Sequence, residues 1–581
     1  MTDTPTIGFV MGTKDATPLE FWVAVAPGNV LRLDDVVQVE TQRPDGLGAV
    51  KFYGVIDHVR TLHEGAQFDT DTFLAKDGSL PVNISYAAHV QVTRIEPEEY
   101  LPPQPGDPVS LAAGDDLAIA LHFDQMDTRI PAGVMRNGSP AFFNFSFVNG
   151  EKGAHVNISG VSGVATKTSY ALYLLHAIFN SEALGAQRAN TKALIFNVKG
   201  EDLFFLDKAN ASRAEHEAKG KATYECLNLP AVPFKDVRFC AVSKKGKQVS
   251  ENLGQRSEGV NVYMWSLREL CRDRLLRFLF VGEDLDRGNL GYLVSNIEEK
   301  LARIAEDNDK EDGQAHRKPR AHLDVEPHGP HGRDTLETFE HLIEYLQEKI
   351  DSEDQAWMAR NAAATGQALI RRLWGIRDDV SHLIRGDLPP DQIAKYRLDP
   401  LSADCQLTIA DINKLGPKAQ FFVVGVTLRK LFLEKERRGA KDPIIFIVLD
   451  ELNKYAPREG KSPIKDQLVE IAERGRSLGI ILIGAQQTAS EVERRVVGQA
   501  AIRVVGRLDS AEAERPEYNF LPASAKKRVL FLKSGAMFVT QPEVPAPILV
   551  NFPFPAYATR LGEVAPDQET VAKFESRVNR F

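Results

Sequence analysis

Two pairs of polar residues follow apolar segments of the chain, and both pairs have the chemistry to bind phosphate and magnesium. Lys167 and Thr168 follow a short glycine-bearing segment and open a helical pattern, whereas Asp450 and Glu451 follow the apolar run Ile444–Leu449. A lysine ammonium and the N–H groups of a loop bind phosphate oxygens, and a hydroxyl and a carboxylate suit Mg²⁺. The sequence therefore predicts a nucleoside triphosphate site with ATP and Mg²⁺ as its ligands.

The predicted phosphate loop departs from the usual G-x-x-x-x-G-K-[ST] spacing. Counted back from Lys167, the two glycine positions hold Val161 and Thr166, and counted from Gly160 the loop is one residue longer. Threonine does not easily adopt a positive φ, so the loop either bulges or follows another path. The alternative is an ordinary strand-to-helix turn with a chance Lys-Thr pair. The predicted nucleotide-binding residues are Gly160, Val161, Ser162, Gly163, Val164, Ala165, Thr166, Lys167, Thr168 and Ser169.

The acidic pair has a clearer setting. Six apolar residues before Asp450 predict a strand buried on both faces, and ligands of α/β sheets bind at the carboxyl ends of strands. Asp450 is predicted to order the Mg²⁺ shell together with Thr168. Glu451 is predicted to act as the general base that polarises the attacking water. The alternative is a solvated acidic pair at the end of a strand.

Three further residues are candidates for catalysis because they flank the next apolar strand, Ile480–Ala485. Gln486 follows that strand and suits a sensor of water or of the γ-phosphate, or else a structural amide. Arg474 and Arg476 precede it. In a ring ATPase such arginines reach the γ-phosphate of a neighbouring subunit and stabilise the transition state, whereas the alternative is a surface ion pair.

Composition limits the class of protein. A length of 581 residues corresponds to about two to four domains. The net charge of -9 argues against a surface coated by nucleic acid, although it allows a local basic channel. The four cysteines form no CxxC pair, so neither a zinc site nor a disulfide framework is expected. We find no signal-peptide pattern and no apolar run of membrane-spanning length, so a cytoplasmic protein without membrane contact is expected.

The pattern of apolar segments predicts an α/β fold with five regions. Short strands suggest a small β-barrel over residues 1–108, ended by a Pro-rich linker. Alternating strands and helices predict a parallel-sheet ATPase core in two halves, 109–224 and 401–540. Residues 225–400 are predicted to form an α-helical insertion, and 541–581 an extended tail. Within the insertion, Asp307–Asp334 carries four histidines and is predicted to be a surface loop rather than a metal site.

Several sequence motifs occur in the same order as in a known protein family. Asn157–Gly163 is similar to a phosphate-loop entry, Asp450–Pro457 to a D-E-A-H-x-F-A-P motif, and Arg474–Gly479 with Gln486-Gln487 to an R-x-G-R-x-x-G…T-Q element. Together they resemble the HerA family of hexameric DNA translocases, which are relatives of FtsK. The resemblance implies a RecA-like P-loop ATPase core behind an N-terminal β-barrel. The chain departs from the family at the G-K glycine, at Asn197 in place of aspartate, and at Gln486.

The resemblance also implies partners. They are a homohexameric ring with ATP between subunits, double-stranded DNA in its central channel, and a C-terminal tail that braces the adjacent subunit. An effector would complete the system: a nuclease-like or sirtuin-like NADase partner in anti-phage defence, or a NurA-type nuclease in DNA-end resection. The chain itself has no motif for either chemistry. The alternatives are an ATP-binding scaffold with slow hydrolysis and a monomeric P-loop enzyme such as a kinase.

Overall fold

The strands of the chain form an N-terminal barrel and a large sheet. The structure, a computed structural model, describes residues 5–161, 167–200, 202–219, 222–246, 249, 255–256, 258–280, 288–326 and 334–565. The strands are β1 (Thr6–Val10), β2 (Glu20–Val25), β3 (Val36–Gln42), β4 (Ala49–Glu64), β5 (Asn83–Glu96), β6 (Pro108–Leu111), β7 (Arg129–Val134), β8 (Pro140–Asn144), β9 (Val156–Ser159), β10 (Thr191–Asn197), β11 (Val237–Val242), β12 (Val260–Tyr263), β13 (Trp265–Ser266), β14 (Leu323–Val325), β15 (Asp334–Leu336), β16 (Ile384–Arg385), β17 (Leu407–Asp411), β18 (Ile444–Asp450), β19 (Ile480–Gln486), β20 (Ile502–Val505), β21 (Ala536–Gln541) and β22 (Val544–Asn551).

The helices separate most of the core strands and fill the insertion. They are α1 (Asp71–Lys76), α2 (Asp115–Ala120), α3 (Lys167–Asn180), α4 (Arg213–Lys219), α5 (Leu267–Arg272), α6 (Asn289–Gln314), α7 (Phe339–Asp351), α8 (Gln355–Met358), α9 (Ala363–Trp374), α10 (Arg377–Val380), α11 (Pro390–Ile393), α12 (Pro417–Arg438), α13 (Leu452–Tyr455), α14 (Pro463–Leu478), α15 (Arg494–Gly498), α16 (Ser510–Ala513) and α17 (Ala523–Arg528). Among the residues that the structure describes, no helix combines the length and apolar character that a bilayer crossing requires.

The barrel is a closed sheet in the order β1-β2-β5-β4-β3-β6. Its interior is filled by alternate apolar side chains such as Val23, Val37 and Val90, all of which are buried. The closing strand, Pro108–Leu111, begins where the Pro-rich linker was predicted to end, and it pairs with both β1 and β3. The barrel therefore continues slightly beyond the predicted boundary at residue 108.

The core is a 12-stranded sheet in the order β12-β11-β17-β10-β18-β19-β9-β20-β21-β22-β7-β8. Neighbouring strands from β12 to β20 run parallel, and those from β20 to β8 run antiparallel. All seven residues of β18 and all seven of β19 are buried, because helices and connecting segments cover both faces. The predicted α/β fold with an N-terminal barrel and a helix-rich insertion is confirmed.

Two predicted boundaries need correction. β11 and β12 extend the parallel sheet although they lie inside the range 225–400, so the helix-rich insertion begins only at Leu267. The range Asp307–Asp334 is not wholly a surface loop, since α6 continues to Gln314 and Leu323–Val325 pairs with β15. Buried Asp312 and Arg268 form an ion pair there and hold this part of the insertion together. His328 and His331 lie outside the described residues.

The C-terminal stretch, predicted to be an extended tail, forms part of the sheet of its own chain. Val544–Asn551 forms β22, which pairs with β21 and β7 of its own chain. Its alternate residues are apolar and buried, which favours a sheet position over an extended arm. Beyond it, Tyr557 is fully buried and bridges to Ala209. Residues up to 565 therefore belong to their own core, and the brace on an adjacent subunit stays a prediction for residues 541–581, of which 566–581 lie outside the described part.

Candidate nucleotide-binding site

The two predicted halves of the site meet at one carboxylate. Thr168 lies in the first turn of α3, and its Oγ1 donates a hydrogen bond of 2.8 Å to Oδ2 of Asp450 at the end of β18. The other carboxylate oxygen, Oδ1, accepts the backbone N–H of Glu451 at 2.9 Å. Asp450 is only 4% exposed, so its orientation is fixed. A hydroxyl and a carboxylate in contact at a helix N-terminus are the ligands that order a Mg²⁺ shell beside a triphosphate.

Lys167 is buried at the same place. Its side chain is 3% exposed, and burial lowers the pKa of its ammonium group. Lys199 lowers this pKa further, whereas the charges of Asp450 and Glu451 raise it. A buried ammonium beside a second lysine favours an anionic ligand, because added negative charge offsets the cost of its desolvation. The surroundings of Lys167 therefore fit a phosphate-binding lysine.

The loop between strand and helix is described only at its two ends. The N–H of Gly160 donates to the carbonyl of Gln486 at 3.1 Å, and that of Val161 to the carbonyl of Arg507 at 2.8 Å. These bonds fix the chain where it leaves β9, between β19 and β20. Five predicted phosphate-binding residues lie outside the described residues: Ser162, Gly163, Val164, Ala165 and Thr166. Ser169 is described, and its side chain is half-buried at the start of α3.

Glu451 adopts a backbone conformation that places it beyond the end of β18. Its φ of 58° and ψ of 45° are left-handed, and it stands immediately before α13. A non-glycine residue in this region costs about 1–2 kcal/mol, so the surrounding fold holds it there. Its carboxylate is near enough to Lys167 and Tyr455 to influence the pKa of both. The position beyond the strand end is compatible with the predicted role of Glu451 as general base.

Gln486 joins the neighbouring strands at the same edge of the sheet. Its Nε2 donates to Oδ1 of Asn157 at 2.8 Å and to Oγ of Ser159 at 3.0 Å, and the residue is fully buried. Its Oε1 accepts no hydrogen bond from the residues that the structure describes. The amide nitrogen therefore has a structural role, while the oxygen remains available as an acceptor for a water or a loop N–H.

Arg474 and Arg476 lie at the opposite edge of the sheet from Asp450. Both are in the last turns of α14, which ends just before β19 begins, whereas Asp450 is paired with Ala485 near the end of that strand. The two places are separated by roughly 17 Å of strand. Arg474 pairs with Glu470 and Glu436 at 2.6 Å each, and Arg476 donates to the carbonyls of Gly150 and Glu151. Within one chain, neither arginine reaches the site, so their role toward a neighbouring subunit stays a prediction.

One residue of the site was not predicted. Lys199 follows β10, and its Nζ pairs with Oδ2 of Asp450, the oxygen that also accepts from Thr168. Its backbone N–H donates to Oδ1 of Asn197 at 3.3 Å, and Asn197 is itself bonded to Asp411 at 3.3 Å. The order of the strands in the sheet is the signal that could have predicted this contact. Because β10 and β18 are parallel neighbours, residues that follow the two strands meet at one edge.

A cavity of about 870 Å³ adjoins the site. Thr168, Ser169 and Asp450 line one part of it, and residues of the C-terminal segment line another. This C-terminal segment is defined here as residues 551–563. Pockets of roughly 300–1,000 Å³ hold small ligands of cofactor size. The volume therefore extends the site beyond the space that magnesium and phosphates need.

Comparison with known proteins gives only distant likenesses. The sequence matches no protein-family model and no curated protein. Among solved structures, VirB4 of Thermoanaerobacter pseudethanolicus is similar at 14% identity and a TM-score of 0.42, over 77% of this chain and 98% of that one. The plasmid coupling protein TrwB in complex with ADP and Mg²⁺ is similar at 11% identity and a TM-score of 0.41, over 71% and 88%. The genome packaging NTPase B204 from Sulfolobus turreted icosahedral virus 2, in complex with ATP-gammaS, has 15% identity and a TM-score of 0.20 over 26% and 70%.

Proposed function

We propose that this chain is an ATPase that binds ATP with Mg²⁺ at the carboxyl edge of its parallel sheet and hydrolyses it. The observation that carries the proposal is the hydrogen bond of 2.8 Å between Thr168 and Asp450, with buried Lys167 beside it. These residues come from two distant parts of the chain. Their convergence at a helix N-terminus supplies a hydroxyl, a carboxylate and an ammonium group, the set that Mg²⁺ and a triphosphate require.

Each residue of the site has its own proposed role. Lys167 would neutralise charge on the β- and γ-phosphate oxygens, and the first N–H groups of α3 would add the positive end of the helix dipole. Thr168 and Asp450 would hold the Mg²⁺ shell, and bound Mg²⁺ would supply charge stabilisation in the transition state. Glu451, one residue beyond Asp450, would accept the proton of the attacking water. Its left-handed backbone supports this assignment because it carries the carboxylate past the end of the strand.

The test is ATP turnover by the full chain with and without duplex DNA. Lys167→Ala and Glu451→Ala are each expected to abolish turnover, whereas the Glu451 variant should still bind ATP. A matched control is Lys152→Ala, since Lys152 forms an exposed ion pair with Glu543 at 3.1 Å. Normal turnover in the Glu451 variant would remove the assigned base. Normal turnover in the Lys167 variant would remove the phosphate site.

We further propose that the ATPase assembles into a homohexameric ring that moves double-stranded DNA and works with an effector, a nuclease or a NADase, in anti-phage defence or DNA-end resection. The predicted roles of Arg474 and Arg476 depend on this ring, because within one chain they lie at the far edge of the sheet. Mass photometry of the chain with ATP, with and without the product of its genomic neighbour, tests both assembly steps. A single monomer mass under all conditions contradicts the ring.

A second candidate function is an ATP-binding scaffold with slow hydrolysis. The specific observation in its favour is the contact of Lys199 with Asp450, because a lysine held on the magnesium-ordering carboxylate opposes entry of the metal. The scaffold hypothesis expects rings that bind ATP and activate an effector, without stimulation of turnover by duplex DNA. Stimulation of turnover by DNA favours the motor instead.

A further inference from the structure

The cavity beside the phosphate site contains an aromatic pair. The rings of His216 and Phe554 stack with centroids 3.9 Å apart and planes 6° apart, and both residues line the cavity. His216 belongs to α4, and Phe554 to the C-terminal segment. Thr168, Ser169 and Asp450 line the same cavity. One cavity is therefore lined both by residues of the proposed nucleotide site and by the aromatic pair, and the part beside the pair is called its aromatic end.

The wall that carries Phe554 is held rigidly. Phe552 packs against the rings of Tyr170 and Tyr173 at centroid distances of 5.3 and 5.8 Å, which ties the segment to α3. On the other side of Phe554, the Ala556 carbonyl accepts the N–H of Asn210 at 3.0 Å. The Ala558 N–H donates to the carbonyl of Lys208 at 2.8 Å. A wall fixed on both sides loses little conformational freedom when a ligand binds.

We propose that this aromatic end binds the nucleobase of the nucleotide whose phosphates occupy the Lys167–Asp450 site, an inference that rests on the proposed function. Three features favour a base over another ligand. The cavity is also lined by Thr168, Ser169 and Asp450 of the proposed site. The aromatic surface of the pair matches the π-face of a base. Side chains with donors and acceptors, among them Asn551, Thr559 and Ser534, also line the cavity and suit the polar edges of a base and its sugar.

The assignment gives the C-terminal segment a role in nucleotide binding within its own chain. The segment lines the same cavity as Ser169 and supplies the base contacts from the same subunit as Lys167 and Asp450. A base stacked on an aromatic side chain loses about 1–3 kcal/mol on substitution by alanine, which corresponds to roughly 5- to 150-fold in affinity. Phe554 and His216 are thus binding and specificity residues, without a part in proton transfer.

The test compares two ligands that differ only in the nucleoside: Mg²⁺·ATP and Mg²⁺·tripolyphosphate, each titrated into the full chain by calorimetry. Phe554→Ala is expected to weaken ATP binding about tenfold or more and to leave tripolyphosphate binding unchanged. His216→Ala changes an exposed ring and should act in the same direction with little risk to folding. Phe73→Ala, which removes a 73% exposed phenylalanine from the barrel, is the matched control and should change neither affinity.

Failure of the base assignment and failure of the proposed function give different results in this test. Equal weakening of both ligands in the Phe554 and His216 variants, or unchanged ATP affinity in both variants, overturns the base assignment. Failure of the proposed function has another signature, because the wild-type chain would then bind neither ligand. Thr168→Ala provides the positive comparison, since loss of a magnesium contact should weaken ATP and tripolyphosphate alike.

Discussion

The hydroxyl of Thr168 donates a hydrogen bond of 2.8 Å to Oδ2 of Asp450, although 282 residues separate the two in sequence. The contact joins the start of α3 to the end of β18, across the strand β19 that lies between β9 and β18 in the sheet. It therefore depends on the parallel register of the whole centre of the sheet. If the site orders a metal as proposed, one substitution at either end of this contact should change that function.

Replacement of Asp450 by asparagine should weaken magnesium-dependent turnover by about 10- to 100-fold, the effect of losing a charged group that orients metal ligands. The variant keeps the shape of the side chain, so the fold should persist. Asp442→Asn is the matched control, because Asp442 is an exposed aspartate near the beginning of β18. The measurement is ATP turnover across a magnesium titration. Equal turnover in the Asp450 variant and the wild type would show that this carboxylate does not act on the metal.

Replacement of Glu451 by glutamine should lower the rate of hydrolysis by about 10²- to 10⁴-fold, the usual contribution of a general base. ATP affinity should change little, since Lys167, Thr168 and Asp450 remain. Turnover in steady state and binding of a fluorescent ATP analogue separate the two effects. A parallel loss of binding and turnover would assign Glu451 to ligand binding instead of proton transfer.

Replacement of Lys199 by glutamine should lower the magnesium concentration needed for half-maximal ATP binding. Lys199 holds the oxygen of Asp450 for which the proposed magnesium shell would compete. The lysine is 42% exposed, so solvent screening limits the effect to about two- to fivefold. Lys152→Gln serves as a surface control. A higher magnesium requirement in the Lys199 variant would mean that this lysine helps to bind the triphosphate.

Replacement of Gln486 by alanine should lower the free energy of unfolding by about 1–3 kcal/mol, because Asn157 and Ser159 would lose a buried partner. Denaturant unfolding measures this change, and Gln392→Ala, at a half-buried helical site, is the comparison. If turnover falls in the Gln486 variant while stability is unchanged, the residue acts as a sensor without a structural role.

Stability should decrease as pH falls below neutrality, and His155 contributes to this. Burial lowers the pKa of His155 from 6.5 to about 4. The neutral ring fits its surroundings because Nδ1 accepts the N–H of Leu482 at 2.9 Å and Nε2 faces the carbonyl of Ala472 at 3.0 Å. Between these pKa values the unfolded chain binds a proton that the folded chain does not, so the stabilisation is present above about 6.5 and is lost as pH falls toward 4.

The expected size of this effect for His155 is on the order of 2 kcal/mol between pH 7 and pH 5. His155→Asn should therefore reduce the dependence of the unfolding free energy on pH, and His316→Asn, at an exposed position, is the surface control. Urea unfolding at pH 7 and pH 5 gives the comparison. The same pH slope in the His155 variant and the wild type would contradict the assignment. His176, whose pKa is also lowered to about 4 by burial, preserves part of the slope in both variants.

The sequence by itself determined several central strands of the core and the residues that follow them. A run such as Ile444–Leu449 is apolar throughout, and only a strand covered on both faces accommodates it, so Asp450 had to stand at a sheet edge. The same local pattern placed Lys167 and Thr168 at the start of a helix. These features depend on neighbouring residues alone, and for that reason they could be predicted.

Tertiary structure decided which residues meet. Lys199 reaches Asp450 because β10 and β18 are neighbours in the sheet. The two residues are 251 positions apart in sequence. The C-terminal segment folds onto α3 because Phe552 and Tyr557 are buried there, although its prolines and polar residues suggested an extended arm. Strand order and burial depend on contacts between residues that are distant in sequence. A local sequence pattern does not specify those contacts.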